Sequence, residues 1–144
     1  MNCLKTILLV EDNPKDVELT LEALLEYNLA NNVVVVNDGI GALEYLRYEG
    51  KFQNRQKGNP CVILLDIKMP RMDGIELLEI ISRDEKLRAM PVVMLTTSSM
   101  EPDLKKCYAL GANAYVVKPV DFKDFLDAVR QIGHFWAILN EQPS

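Results

Sequence analysis

Short apolar runs alternate five times with segments of helical period, and this alternation constrains the fold more than any other feature of the chain. The runs are Ile7-Leu8-Leu9-Val10, Val33 to Val36, Val62-Ile63-Leu64-Leu65, Val92-Val93-Met94-Leu95 and Ala114-Tyr115-Val116-Val117. Four of the five are almost continuously apolar, the pattern of strands in a parallel sheet covered on both faces. Five βα units in series predict a doubly wound α/β sheet, because right-handed crossovers put helices on both sides. Ligands of such sheets bind beyond the carboxyl ends of the strands, near the point where strand order reverses.

The intervening segments carry helix signals. Asn13-Pro14 pairs an N-cap with a proline at the first helical position, and Val17, Leu21, Leu24 and Leu25 follow on one face. Asp38 caps a segment containing Ile40, Leu43 and Leu46. Asp73-Gly74 opens another, with Leu77, Leu78 and Ile81 directed inward. Pro102 opens a fourth that holds Leu104, Cys107 and Tyr108 and stops at Gly111. Asp121 caps the last, whose stripe runs Phe122, Phe125, Leu126, Val129, Ile132 and Trp136. The polar stretch from Glu49 to Pro60 is too rich in Gly, Pro and Asn for a strand. It predicts a long loop into which the preceding helix extends and which Phe52 pins to the body.

At 144 residues the chain suits one domain with a real core. Sixteen basic against 21 acidic residues give a net charge of -5, and no basic stripe occurs, so direct DNA or RNA binding is disfavoured. No apolar run approaches the ~20 residues that span a bilayer, and the N-terminus does not read as a signal peptide. Cys3, Cys61 and Cys107 are widely spaced and form no metal-type pair with the single histidine, His134. Reduced thiols and a cytoplasmic location follow as expectations, and His134 is assigned a packing or surface role.

Chemistry concentrates just after the runs. Glu11-Asp12 follow the first, Asp66 the third, Thr96-Thr97-Ser98-Ser99 the fourth and Lys118-Pro119 the fifth. Each alone has an ordinary explanation, such as a helix cap, a polar turn or a surface lysine. Together they bring three carboxylates, a hydroxyl and an ammonium to one sheet edge. Mutually repelling carboxylates favour a bound cation, and oxygen-only ligands suit Mg²⁺. The second run is followed by no immediate acid, as expected of an edge strand.

The segments Leu8-Leu9-Val10-Glu11-Asp12-Asn13, Ile63 to Gly74 (ILLDIKMPRMDG), Val93-Met94-Leu95-Thr96-Thr97-Ser98 and Gly111 to Pro119 (GANAYVVKP) resemble, in order, the receiver domains of two-component response regulators. The resemblance covers residues 4 to 133. A looser one, to the single-domain regulators that partner phytochrome-type histidine kinases, rests on Leu46-Arg47-Tyr48-Glu49-Gly50, the long loop before Pro60 and the ending around Phe135-Trp136. The receiver resemblance implies a flavodoxin-like (βα)₅ fold with strand order 2-1-3-4-5. Residues 1–144 then form a single receiver domain with a C-terminal helical extension at 134–144.

By that resemblance Asp66 is the phosphoryl acceptor. Glu11, Asp12, Asp66 and the backbone carbonyl of Lys68 hold Mg²⁺, with the longer Glu11 acting through water. Lys118 pairs with Asp66 and then with the phosphate, while Thr96 bonds a phosphoryl oxygen. Tyr115 turns inward as Thr96 moves, and the Lys118-Pro119 peptide is cis. Thr97 stands where the family often has a smaller residue, so it is expected to slow dephosphorylation.

The chain leaves room for about one helix after Lys118-Pro119, so output is expected through protein contacts rather than an effector domain. The implied partners are a sensor histidine kinase and a downstream target or histidine phosphotransfer protein, the latter making the chain a relay intermediate. The output face would include Lys105, Lys106 and Tyr115, and Phe135 and Trp136 are candidates for a homodimer or partner interface. Lys68 takes the place of the second acid needed by an aspartate-phosphate hydrolase of the haloacid-dehalogenase type. Glu11-Asp12 would repel phosphate from the loop that a flavodoxin-like cofactor binder needs. The chain is therefore read as a switch rather than an enzyme acting on external substrates.

Overall fold

In a computed structural model of the chain, the residues described are 6–25, 33–96, 101–117 and, further on, 123, 124, 127, 130 and 131. Five strands, β1 (Ile7–Val10), β2 (Val33–Val36), β3 (Val62–Leu65), β4 (Val92–Thr96) and β5 (Ala114–Val117), form one parallel sheet in the order β2-β1-β3-β4-β5. The doubly wound topology is as the sequence predicts, with β2 at an edge. All four residues of β1 and of β3 are buried, as are all five of β4. This is why these runs are continuously apolar rather than alternating.

The side chains of the two sheet faces form two cores. Leu8, Val10, Ile63, Leu65 and Met94 pack on one side with Leu43, Leu46, Leu77, Leu78 and Ile81. Ile7, Leu9, Val62, Leu64, Val93 and Leu95 pack on the other with Leu24. Cys61 and Cys107 are buried in these cores. Burial, with Asp103 and Asp73 nearby, pushes the Cys107 thiol up to about 11, so it behaves as a small apolar side chain.

Among the described residues, four helices lie between the strands: α1 (Pro14–Leu25), α2 (Gly39–Leu46), α3 (Gly74–Arg83) and α4 (Glu101–Ala109). The Asn13 Oδ1 accepts the N–H groups of Lys15 at 2.9 Å and Asp16 at 3.3 Å, so it caps α1 as expected. Asp38 caps α2 through the Gly41 N–H at 2.8 Å. At α3, Asp73 and Glu76 complete a reciprocal capping box with bonds of 2.9 and 3.2 Å. Gly111, at φ 101, closes α4: its N–H donates to Tyr108 and that of Ala112 to Cys107, the pairing of a left-handed glycine cap.

Leu25, expected on the apolar face of α1, is exposed at the end of that helix, and Ile40 in the first turn of α2 and Tyr108 in the last turn of α4 are exposed as well. All three sit in terminal turns, where the helix no longer faces the sheet. The last-helix stripe from Phe122 to Trp136 and its Asp121 cap lie outside the described residues. Among the described residues, no helix is long and apolar enough to cross a membrane.

The stretch after α2 is more ordered than its composition implies. The helix ends at Leu46 rather than extending, because Tyr48 takes a positive φ of 58, and a single 3₁₀ turn follows at Gly50–Phe52. Phe52 packs edge-on against Tyr45, with ring centroids 5.1 Å apart, and so pins the loop as expected. The Arg55 guanidinium lies between the rings of Tyr45 and Tyr48, 3.9 and 4.0 Å from their centroids. It donates to the carbonyls of Tyr45 at 2.7 Å and Gly58 at 3.1 Å. Its Nη2 is buried without a hydrogen-bond partner among the described residues, and the two π faces take that place. Arg55→Ala is expected to lower stability by about 1–2 kcal/mol from the lost cation–π and hydrogen-bond contacts, read as a shift of the urea midpoint.

Candidate functional site

The carboxyl ends of β1, β3 and β4 deliver the acids and the hydroxyl to one edge. The register sets Val10 beside Leu65, so the next residues, Glu11 and Asp66, leave the sheet side by side. The ladder continues through both: the Glu11 N–H donates to the Val36 carbonyl at 3.0 Å and the Asp66 N–H to that of Val10 at 3.1 Å. Glu11 is 2% exposed and Asp66 9%, whereas Asp12 is exposed. One Asp66 oxygen accepts the Ile67 N–H at 2.8 Å, which fixes the carboxylate rotamer. One oxygen from each of Glu11, Asp12 and Asp66 lies within 4.8 Å of the others. Two of these acids are buried, and among the described residues the donor set is purely oxygen. Such a set fits a hard divalent cation.

Thr96 ends β4 and is fully buried. Tyr115 pairs in register with Met94 and is half-buried against the main core, on the strand next to Thr96. Lys68 is exposed two residues past Asp66, and Lys105 and Lys106 are exposed on α4. Lys118, the Lys118-Pro119 peptide, Thr97, Phe135 and Trp136 lie outside the described residues. The structure thus gathers Glu11, Asp12 and Asp66 as expected and sets Thr96 and Tyr115 on the adjoining strands.

Gly74 explains how α3 starts so close to the acceptor strand. A Cβ there would stand 2.0 Å from the Asp66 carbonyl oxygen, and the Gly74 N–H donates to Ile67 at 2.8 Å. Only glycine permits that approach.

One interaction at this edge is not visible in the sequence. Asp38, assigned only a capping role, also accepts from Arg71 Nε at 2.7 Å and pairs with its Nη2. Burial opposes charge on Asp38, but the Gly41 N–H, the Arg71 guanidinium and the Ile40 N–H outweigh it. Together they hold the carboxyl below its ordinary 3.8. Asp38 could be read as a cap from its place before a helix, but a partner 33 residues away leaves no local signal.

Residues 7–130 match the family described as "Response regulator receiver domain". The chain is a response-regulator receiver domain. The bacteriophytochrome response regulator RtBRR is 53% identical, with a TM-score of 0.76 over 99% of this chain and 84% of its own. The phosphorylated cyanobacterial phytochrome response regulator RcpA is 38% identical, with a TM-score of 0.88 over 99% of both chains. Response regulator Rcp1 of Synechocystis is 37% identical over 92% of this chain and 88% of its own. An Mn²⁺-bound Rcp1 structure has a TM-score of 0.88 at 34% identity, covering 100% of both chains. As a receiver, the chain is a phosphorylation-dependent switch, and its acidic cluster lies at the strand ends where receivers take a divalent metal.

Two outcomes are expected of this edge. A divalent cation at ten times its Kd should stabilise the wild type by about 1.4 kcal/mol, and Asp12→Ala should remove most of that gain in a thermal melt. For the lowered Asp38 carboxyl, the stabilisation is fully present above the unfolded value of 3.8 and is lost as pH falls through the lower folded value. The stability difference between wild type and Asp38→Asn in urea should therefore be constant near neutrality and shrink below about pH 4.

Proposed function

We propose that this receiver accepts a phosphoryl group on Asp66 from the phosphohistidine of a sensor histidine kinase, with Mg²⁺ as the metal. The observation that carries the reading is the pair of in-register strand ends that place Asp66 against Glu11 and Asp12. An Asp66 oxygen attacks phosphorus, an acyl phosphate bond forms and the P–N bond breaks. The electron pair returns to the imidazole, which takes up a proton. Both reactants are anionic, so catalysis is positioning and charge neutralisation. The cation supplies charge neutralisation when bound, held by Glu11, Asp12, Asp66 and the Lys68 carbonyl. Lys118 supplies a second positive charge, first to the Asp66 carboxylate and then to the phosphate. The Thr96 hydroxyl donates to a phosphoryl oxygen, and Tyr115 follows Thr96 inward, altering the β4–β5 side of the domain that a partner reads.

The kinase is proposed to be of the phytochrome type, as the names of RcpA and RtBRR support. We take the chain as a single receiver domain acting in the cytoplasm through protein contacts, with Phe135 and Trp136 as candidates for a homodimer interface. Acetyl phosphate with Mg²⁺ should add one phosphoryl mass to the wild type and none to Asp66→Asn, and chelation should abolish the adduct. A wild type that stays unmodified, or an Asp66→Asn protein that is modified equally, would overturn the assignment.

A further inference from the structure

The loop of residues 67–73 leads from Asp66 to α3, and its backbone makes an unfavourable turn. Arg71 has φ 64, in the left-handed region, and the Met72 N–H donates across it to the Pro70 carbonyl at 2.7 Å. A three-residue turn of this hand is rare and persists only where its surroundings over-determine it.

Met69 and Met72 of the loop pack against the main core, and the start of α2 adds a set of direct contacts to the turn itself. The Arg71 guanidinium engages Asp38 through both Nε, at 2.7 Å, and Nη2. The Gly39 N–H donates to the Met72 carbonyl at 3.2 Å. The Met72 side chain fills the space beside Gly39, where a Cβ would meet it at 2.8 Å. The two ends of the loop are fixed separately, by the Ile67 N–H on Asp66 and by the Gly74 N–H on the Ile67 carbonyl. Asp38 is buried and Arg71 is 61% exposed, so the tie is a solvent-facing arm laid onto a buried acid. Asp38 is not one of the three acids whose oxygens gather within 4.8 Å of one another.

We propose that Asp38 and Arg71 form a latch that positions the β3–α3 loop for the chemistry at Asp66. The inference rests on Asp66 being the acceptor. Arg71 is a positioning residue: with the latch closed, the loop backbone, including the Lys68 peptide, is held beside the acidic edge. With it open, the turn at Arg71 relaxes, and cation binding and phosphoryl acceptance weaken while every group at the acceptor is retained.

The test compares wild type, Arg71→Gln, Arg71→Lys, Asp38→Asn and the double variant Asp38→Asn/Arg71→Gln. Asparagine caps a helix as well as aspartate, so Asp38→Asn keeps the start of α2 and removes only the charge. Amide hydrogen exchange at Gly39 and Met72 is read first without metal or phosphate, then Mg²⁺ is titrated and the rate of labelling by acetyl phosphate measured. Loss of a well-formed ion pair should speed exchange at both amides about fivefold in Arg71→Gln and Asp38→Asn, with Mg²⁺ affinity and labelling rate falling by a similar factor. Arg71→Lys should recover part of each, and the double variant should be no worse than either single one. Exchange and Mg²⁺ affinity within about twofold of wild type in both single variants would overturn the latch. So would faster exchange with unchanged Mg²⁺ affinity and labelling, which would leave Arg71 a purely structural tie. A wild type that binds Mg²⁺ but takes no label at Asp66 would instead overturn the acceptor assignment.

Discussion

The in-register pairing of β1 with β3 is the contact on which the site depends. Because Val10 lies beside Leu65, Glu11 and Asp66 emerge level with one another, and each continues the ladder by one backbone hydrogen bond. A slip of one residue in a parallel strand would turn every side chain to the opposite face. It would exchange the two cores and also separate the acids. The apolar residues of β1 and β3 are divided between those cores, so the hydrophobic effect that fixes the register also fixes the carboxylates. Stability and site geometry are here set by one interaction.

Crowding of the edge follows from the same pairing. Asp66 is the last buried acid before the chain must turn back, and α3 starts so near it that Gly74 leaves no space for a side chain. The capping box of Asp73 and Glu76 then sets the helix direction within one turn. Little slack remains between the acceptor and the helix after it. A change in charge at Asp66 would therefore be transmitted through packed groups that have few ways to yield.

Much of this was legible in the sequence because it is local or periodic. The strands show as continuous apolar runs and the caps as Asn13, Asp38, Asp73 and Gly111. Glu11, Asp12, Asp66 and Thr96 show as polar residues placed directly at the ends of those runs. The features hidden from the sequence depend on distant partners or on helix ends. Helical period puts Leu25 on the apolar face of α1, but it carries no information on where the sheet stops covering a terminal turn. Arg71 carries no local sign of its partner, because the acid it pairs with, Asp38, lies 33 residues away. The segment after α2 reads as loose because its composition is polar, whereas its order comes from one cation enclosed by two rings.

That enclosure bears on how the protein meets a protease. The crossover from α2 to β3 holds Lys51, Arg55 and Lys57, the residue types after which trypsin-like enzymes cut, in a connection of the kind usually nicked first. Cleavage after Arg55 requires its side chain to leave Tyr45 and Tyr48 and enter the enzyme's acidic pocket, so cutting there is limited by local opening rather than by sequence. Lys57 also lies over Tyr48, 4.1 Å from the ring centroid, and Lys51 over Phe52 at 5.2 Å. Both lysines remain exposed, so of these three basic residues Arg55 is the one that the aromatic rings withdraw from a protease.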